Sequence, residues 1–304
     1  MPCYPAPDGW ITRAQVWLGT LVEVSLPVAE ATEPCFAAAF AAIAHVHRKM
    51  SVHEPTSDLA RIAREAHRRA VVVDPDTYGV LKLAQALSRE SGGVFDVTVA
   101  PVLARQGLLP ARAAGNGVRC GRMQALRLEP SYRVRSALPV ALDLGGIAKG
   151  YAVDRAVIAL RAAGADAGLV NAGGDLRSFG FGVWTPVRLR HPRNPALAVS
   201  LLEVHDAAVA TSADYFREGI SALVDPCSRR LRAFGGSITV VAPTCVLADA
   251  LTKVVALAPA QAANILARYR AHAVHLGVCG DGVRARTTCK APTSYLRLPL
   301  ACAA

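Results

Sequence analysis

The chain has 304 residues and a net charge of +11, because 34 lysines and arginines outnumber 23 acidic residues. Apolar residues make up 52% of the sequence, which supplies a large core and excludes a disordered chain. Only five of the basic residues are lysines and aromatic residues amount to 6%. So few stacking side chains argue against a nucleic-acid partner.

The sequence also bears on membrane association and location. No segment approaches the roughly 18 consecutive apolar residues that a membrane span needs. The N-terminal residues show no basic stretch followed by an apolar one, so we expect no signal peptide and a cytoplasmic location. A periplasmic location is the alternative if the given N-terminus is truncated. The sequence does not determine the oligomeric state.

Hydrophobic periodicity predicts helices and strands that do not alternate regularly along the chain. In the first half we predict, in order, a strand, three helices, a strand and a helix: Leu21–Leu26, Cys35–Lys49, Asp58–Arg69, Pro75–Arg89, Pro139–Leu144 and Ile147–Ala163. A basic, glycine-rich loop over 105–122 separates the last strand from the third helix. Five strands, two helices and two closing strands follow: Leu169–Asn171, Trp184–Arg190, Ala198–Val204, Ala207–Ala210, Ser237–Ala242, Leu247–Leu257, Ala260–Tyr269, Ala273–Leu276 and Val283–Thr288. This order indicates an α+β fold with mostly antiparallel sheets and packed helices.

The most informative motif joins the predicted strand that carries Asp143 to the helix that carries Lys149. The chain turns through Gly145 and Gly146 directly into the helix, so backbone N–H groups and the positive helix end point to one place. Together with the lysine, this arrangement favours a bound phosphate. The alternative is a tight strand-to-helix turn with a surface lysine.

Two further Gly-Gly turns are each followed by an aspartate. In the segment SGGVFD over 91–96, Phe95 could stack on a flat ligand and Asp96 could accept hydrogen bonds, or Phe95 could belong to the core. In the segment NAGGDLR over 171–177, a β-turn is the simpler interpretation. On a later predicted helix, Asp249 and Lys253 are four residues apart and therefore share a face, either as a surface ion pair or as part of a site.

Eight segments follow one another along the chain: LGT at 18–20, MSVHEPTSDL at 50–59, SGGVFD at 91–96, LDLGGIAKGYAVD at 142–154, VNAGGDLR at 170–177, ATSADY at 210–215, LVDP at 223–226 and SITVVAPTCVLADAL at 237–251. In sequence and in order, they resemble the motifs of the ApbE family of FAD:protein FMN transferases. The resemblance implies an ApbE-like, T-fold-like α+β roll. We expect it to form one domain over 17–304, after an N-terminal extension over 1–16.

The resemblance also implies a reaction. FAD would be the substrate, Mg²⁺ would assist cleavage of its pyrophosphate, and FMN would pass to a Thr or Ser hydroxyl of a target flavoprotein while AMP leaves. The acceptor would carry a D-[GSA]-A-T motif, which this chain lacks. Catalytic roles fall to Asp249 and Lys149, and the Gly146 carbonyl and the Asp249 carboxylate would bind the metal. The residues implied to contact FAD are Leu18, His53, Val94, Phe95, Asp96, Asp143, Lys149, Leu223 and Thr252.

Three positions depart from the family pattern. Ala222, preceded by Ser221, replaces a histidine that would accept the proton of the target hydroxyl. Lys253 replaces a threonine that would be the second side-chain ligand of the metal, and His53 replaces a tyrosine. Two alternative functions therefore stay open, namely hydrolysis of FAD to FMN and AMP, and FAD binding without catalysis.

Overall fold

The structure is a computed structural model, and it describes residues 9–115, 117–180, 185–190, 198–213, 222–279, 282–288 and 294–297. Trp184, the first residue of a predicted strand, lies outside these ranges. Seven α-helices occur in the described residues: α1 (Glu33–Met50), α2 (Asp58–Glu65), α3 (Pro75–Glu90), α4 (Ala100–Arg105), α5 (Ala148–Ala162), α6 (Cys245–Leu257) and α7 (Pro259–Arg268). No helix in these ranges has both the length and the apolar character needed to cross a bilayer.

Sixteen strands accompany the helices within the same ranges. The first eight are β1 (Trp10–Trp17), β2 (Thr20–Pro27), β3 (Val71–Val72), β4 (Leu126–Glu129), β5 (Arg133–Ser136), β6 (Gly168–Ala172), β7 (Asp175–Phe179) and β8 (Thr185–Arg190). The others are β9 (Ala198–Val204), β10 (Ala208–Ala213), β11 (Val224–Asp225), β12 (Arg230–Leu231), β13 (Gly236–Ala242), β14 (His272–Cys279), β15 (Gly282–Thr287) and β16 (Leu296–Arg297).

The main sheet has eight strands in the order β1-β2-β6-β7-β10-β13-β14-β15, and every neighbouring pair is antiparallel. Helices α1, α5 and α6 cover one face, and a three-stranded sheet, β16-β9-β8, packs on the other. The predicted α+β class with mostly antiparallel sheets is confirmed. Residues 10–16, which we assigned to an N-terminal extension, lie in β1 at the edge of this sheet.

Two apolar cores explain why the central strands β6 and β13 are buried along their whole length. In β13, the side chains of Ile238 and Val240 belong to the core under the helices, while Val241 points into the core under the small sheet. Successive strand residues face opposite sides, so a strand covered on both sides is apolar at nearly every position. This pattern differs from the polar alternation of a half-exposed strand.

Two predicted elements differ from the structure. The helix predicted over Asp58–Arg69 begins at Asp58, where the Ser57 hydroxyl accepts the Ala60 N–H at 3.2 Å, but it ends at Glu65. The Ala66 carbonyl, which a longer helix would pair with residue 70, instead accepts the Ser136 N–H at 2.8 Å. The strand predicted over Pro139–Leu144 is wrong.

That segment has no strand assignment because it lacks a ladder partner among the described residues. Pro139 carries no N–H, the Asp143 N–H donates to the Val97 carbonyl at 2.8 Å, and the Leu144 carbonyl accepts the N–H groups of Ile147 and Ala148 at the start of α5. Val140 and Leu142 are nevertheless buried. Their apolar character therefore reflects packing against the core rather than membership of a sheet.

Candidate functional site

The candidate site lies where helices α5 and α6 touch. Gly150, in the first turn of α5, has no room for a side chain, because a Cβ there would lie 2.2 Å from the Cys245 carbonyl oxygen. The same Cβ would lie 2.9 Å from the Cβ of Asp249 on α6. The glycine therefore permits the close approach of the two helices that brings the residues of the site together.

Asp249 is the most deeply buried charged residue of the site, with no exposed surface. Its Oδ2 atom accepts the Gly150 N–H at 3.1 Å and lies 3.6 Å from Lys149 Nζ, and its Oδ1 atom pairs with Lys253. Burial opposes ionisation, but the two ammonium groups outweigh it and lower the pKa of Asp249 below the usual value. The residue is thus a carboxylate, and it caps an N–H group at the start of α5.

Lys149 forms a second ion pair, with Asp175 on β7. Its side chain is 30% exposed, whereas that of Asp175 is 4% exposed. Burial would lower the pKa of Lys149, but the carboxylates of Asp175 and Asp249 raise it well above the usual value. Our sequence analysis did not select Asp175, although its position after the Gly173-Gly174 turn was a usable signal.

Lys253 lies on the same helix face as Asp249, so the predicted spatial proximity is confirmed. Its ammonium donates to the Asp249 backbone carbonyl at 3.0 Å and pairs with the carboxylate. Its stem lies against the diglycine turn, since a Cβ on Gly146 would be 3.2 Å from Lys253 Cε. The side chain is 19% exposed, so it is not sealed off from solvent.

Asp143 completes the charged cluster at the start of α5. It accepts the Gly145 N–H at 3.2 Å and holds the diglycine turn in place. Burial raises the pKa of Asp143, although the Gly145 N–H and the charges of Lys253 and His53 act in the opposite direction. Among the residues predicted to contact FAD, this cluster brings together Asp143, Lys149 and His53 beside the predicted metal ligands.

A buried network behind the cluster fixes the start of α6. Asp154 on α5 accepts the N–H groups of Cys245 and Val246 at 3.0 and 2.8 Å. The same carboxylate pairs with Arg177 on β7. Because these bonds tie α5, α6 and β7 together, they fix the positions of the helix carrying Lys149 and the helix carrying Asp249.

The structure places several other predicted FAD contacts within the protein. Both carboxylate oxygens of Asp96 accept bonds from the protein, Oδ1 from the Thr98 N–H and hydroxyl at 2.6 Å and Oδ2 from the Met123 N–H at 3.2 Å. Phe95 is 4% exposed and belongs to the main core, beside the half-buried Val94. Thr252 is fully buried, and its hydroxyl contacts Ser212 at 2.8 Å.

Leu18 lies in the two-residue turn between β1 and β2, with a φ of +56°. A left-handed backbone is unfavourable for leucine, so the surrounding structure holds this turn in place. The adjacent Thr20 packs against Gly173, where a Cβ would lie 2.4 Å from its Oγ1 atom. The two hairpin turns therefore lie side by side, and Leu18 is at the end of the sheet that carries Asp175.

The remaining predicted positions, Ala222 and Leu223, lie directly before β11. Ala222 is exposed and Leu223 is partly buried, with the Leu223 carbonyl accepting the Arg232 N–H at 2.8 Å. Ser221, and residues 214–215 of the ATSADY segment, lie outside the described residues. This part of the chain therefore adds no described charged side chain to the cluster.

A cleft of about 420 Å³, a volume in the range of small-molecule pockets, is lined by residues that neighbour two members of the cluster in the chain. Its walls are mostly apolar, and they include residues next to His53 and Asp143 in the chain, namely Val52 and Leu142. Arg64 and Arg112 also line it, and Arg112 donates to the His53 carbonyl at 2.6 Å. The cleft thus combines an apolar surface for a ring system with positive charge.

The donor set at the predicted magnesium position does not fit the ion. Magnesium requires about six oxygen ligands near 2.1 Å in an octahedral arrangement. One oxygen of Asp249 pairs with the Lys253 ammonium, and the other accepts an N–H group. Lys253 also packs over Gly146, the other predicted ligand. To bind the Asp249 carboxylate, a divalent ion would therefore have to displace the Lys253 ammonium from it.

A second group of possible metal ligands lies between α1 and α3. The ligand atoms of His45, Asp74 and Asp76 are all within 4.8 Å of one another. Cationic side chains already balance these carboxylates, with Lys49 Nζ 3.8 Å from Asp74 and Arg155 Nε 3.3 Å from Asp76. The group therefore forms an ion-pair network between helices, and it is separate from the cluster at α5.

Comparison with known proteins agrees with the motifs of this site. The sequence profile of the ApbE family matches residues 18–276. The FAD:protein FMN transferase of Vibrio cholerae is 28% identical over 226 residues, covering 68% of either chain. That of Treponema pallidum is 28% identical over 281 residues, covering 79% of this chain and 76% of the relative.

Solved structures have the same fold. The flavin transferase ApbE from Vibrio cholerae superposes with a TM-score of 0.79 at 23% identity, over 91% of this chain and 96% of that one. The ApbE protein from Thermotoga maritima gives a TM-score of 0.76 at 24% identity, over 88% and 94% of the two chains. With its profile match extending from the Leu18 turn to β14, the chain belongs to the ApbE family.

Proposed function

We propose that this protein transfers FMN from FAD to a Thr or Ser hydroxyl of an acceptor protein and releases AMP. The observation that carries the proposal is the pair of ammonium groups, Lys149 and Lys253, on either side of the buried Asp249 carboxylate next to the Gly145-Gly146 turn. Two cations at one turn suit a pyrophosphate, which carries two negative charges. The relatives named FAD:protein FMN transferase support FAD as the substrate.

The chemical step transfers a phosphoryl group. The acceptor oxygen forms a bond to the phosphorus of the FMN half, the bond from that phosphorus to the bridging oxygen breaks, and AMP leaves with the bridging oxygen. The hydroxyl proton passes to solvent, since Ala222 offers no base. Catalysis of this kind relies on positioning and on neutralising charge, which Lys149 and Lys253 supply.

The cleft beside Asp143 suits one ring system of the dinucleotide, with the pyrophosphate at the diglycine turn. Asp143, which holds the turn, and His53 each follow a residue that lines the cleft, and both would orient the nucleotide. The helix-end amides contribute less than the sequence motif suggests, because the Ala148 and Gly150 N–H groups bond to Leu144 and Asp249. The ammonium groups of Lys149 and Lys253 would therefore provide most of the electrostatic stabilisation of the bound pyrophosphate.

Other parts of the FAD site stay predictions. The segment of Val94, Phe95 and Asp96 directly precedes Val97, whose carbonyl accepts the Asp143 N–H, so it would reach the nucleotide from the side of Asp143. Leu18 would contribute from the hairpin turn, Leu223 through its backbone, and Thr252 indirectly through the helix it stabilises. Magnesium stays a prediction too, and we assign no step to it because the donor set of Gly146 and Asp249 does not fit the ion.

The test is to incubate the purified protein with FAD and an acceptor that carries a D-[GSA]-A-T motif, and to measure intact protein mass. We expect the acceptor to gain one FMN and AMP to accumulate in equal amount. An acceptor with its threonine changed to alanine is the matched control and should gain nothing. Asp249→Ala should reduce the rate by at least about 100-fold, the scale of a lost electrostatic element.

Hydrolysis of FAD to FMN and AMP is the second candidate, and one observation favours it. The family position of the proton-accepting histidine is the exposed Ala222, whose side chain offers no base to an acceptor hydroxyl. In the same assay, release of free FMN and AMP without any gain in acceptor mass would identify this activity. FAD binding without release of AMP would contradict both reactions and leave a flavin-binding role.

A further inference from the structure

The interaction of Lys253 with Asp249 and Gly146 has a consequence for metal dependence. A lysine side chain here could have extended into solvent, but its ammonium binds both the carboxylate and the backbone carbonyl of Asp249. Its stem fills the space in front of Gly146. The cation is therefore held in place by the protein at the turn where we propose that the pyrophosphate binds.

Within the two ion pairs of the cluster, the charges balance only when Lys253 is counted, and Asp143 is a further carboxyl group beside them. Lys149 and Lys253 contribute two positive charges against the carboxylates of Asp175 and Asp249. A neutral residue at position 253 would leave a net negative cluster facing a pyrophosphate with two negative charges. Binding would then require an added cation, because like charges close together in a partly buried site repel strongly.

The ammonium can also contact a ligand. It carries three N–H donors, and within the described part of the chain two of them are directed at Asp249. The side chain is 19% exposed, and Gly146 presents no side chain to block the approach. A phosphate oxygen at the turn can accept the third hydrogen.

From this geometry we infer that Lys253 is a built-in counter-cation, which takes the place of a divalent metal in binding the pyrophosphate of the dinucleotide. The inference rests on the proposed function for the identity of the ligand. It gives two expectations, which are that FAD binding by this protein does not depend on a divalent ion and that removal of Lys253 creates such a dependence. A lysine supplies less charge than a divalent ion and no Lewis acid, so turnover is expected to be slow.

The first measurement is FAD affinity, followed by flavin fluorescence in EDTA and in millimolar Mg²⁺. The wild type should bind equally in both, within about twofold. Lys253→Thr should bind about tenfold more weakly in EDTA and recover in Mg²⁺, because the threonine hydroxyl and Asp249 can then ligate the ion. Lys253→Met, which has neither charge nor oxygen, should stay weak in both.

The second measurement needs no flavin. Binding of Mn²⁺ to the free protein, followed by electron paramagnetic resonance, should be weak in the wild type and at least about tenfold tighter in Lys253→Thr. Lys82→Thr, on the exposed face of α3, is the matched control and should behave as the wild type in both measurements. Circular dichroism and thermal melting check that each variant is folded.

Loss of wild-type FAD binding in EDTA and its return with Mg²⁺ would overturn the inference, as would equal Mn²⁺ affinities for the wild type and Lys253→Thr. If neither the wild type nor any variant bound FAD under any condition, the proposed function would fail. The Mn²⁺ measurement would still decide the role of Lys253. If Lys253→Thr did not fold, the wild-type comparison of EDTA with Mg²⁺ would decide it alone.

Discussion

The Asp249 carboxylate accepts the backbone N–H of Gly150, so one residue of α6 caps the first turn of α5. The bond joins residues 99 positions apart in the chain and lies at the point where the helices come closest. The residue therefore has two roles, since it holds the helix crossing together and positions the ammonium groups of Lys149 and Lys253. Changes at the crossing should affect stability and flavin binding together.

Gly150→Ala tests this crossing. The new Cβ would be 2.2 Å from the Cys245 carbonyl oxygen, so helices α5 and α6 must separate. We expect a loss of about 1–3 kcal/mol in the free energy of unfolding and weaker FAD binding. Urea denaturation measures the first and flavin fluorescence the second. Gly79→Ala is the matched control, because Gly79 lies in α3 with open space around it. That variant should gain about 0.5–1 kcal/mol, and equal effects of the two substitutions would contradict the close approach.

Lys149→Met separates the ligand-binding role of the lysine from its role in folding. The substitution leaves Asp175 buried without its partner, and we expect a loss of roughly 3 kcal/mol in the free energy of unfolding along with at least about tenfold weaker FAD binding. The double variant Lys149→Met with Asp175→Asn removes the uncompensated charge. It should recover much of the stability but none of the FAD affinity. Recovery of both would show that the lysine acts only through the fold.

Asp143 should make stability depend on pH. The pKa of Asp143 is raised in the folded protein. Between about pH 4 and this raised pKa, the folded state therefore binds more protons than the unfolded state. The free energy of unfolding then falls as the pH rises through this window. Asp143→Asn keeps an acceptor for the Gly145 N–H but cannot ionise. Its stability relative to the wild type should therefore increase from pH 4 to pH 7 in urea denaturation. A constant difference across that range would contradict the raised pKa.

Ala222→His restores the side chain that the family motif carries at this position. A histidine there can accept the proton of the attacking hydroxyl, which contributes on the order of 100-fold in rate in general-base catalysis. We expect faster FMN transfer to a D-[GSA]-A-T acceptor, with a rate that rises with pH near the pKa of the new imidazole. Ala222→Gln is the control, because it adds a polar side chain that cannot titrate. The same rate in both variants would show that position 222 is not close to the acceptor hydroxyl.

Much of the site could be predicted from local spacing alone. The i, i+4 relation puts Asp249 and Lys253 on one face of a helix whatever the rest of the fold, and their contact follows from it. Lys149 falls in the first turn of its helix because Gly145 and Gly146 end the preceding extended segment. The antiparallel α+β class follows from strands and helices that do not alternate regularly.

The three-dimensional contacts decided which groups meet. The partner of Lys149 is Asp175 on a hairpin strand, and the sequence could not identify it because the pairing depends on how β7 packs against α5. Asp96 looked equally suitable as a ligand-binding carboxylate, but its oxygens are bound to Thr98 and Met123. Periodicity also predicted too long a helix α2, because the Ser136 N–H bonds to the Ala66 carbonyl that a longer helix would have used. It predicted a strand over residues 139–144, where the Asp143 N–H bonds to the Val97 carbonyl instead of to a neighbouring strand.

The sequence by itself therefore determined the chemical groups, the family and the local turns of this protein, since these depend on residues within a few positions of one another. Only the tertiary structure decided the balance of charge around Asp249, because hydrogen bonds and ion pairs between distant segments set burial, pKa and access. The position of Lys253 over Gly146 depends both on local sequence spacing and on tertiary packing. Its helix face was fixed by spacing, and its place at the diglycine turn was fixed by the packing of α6 on α5.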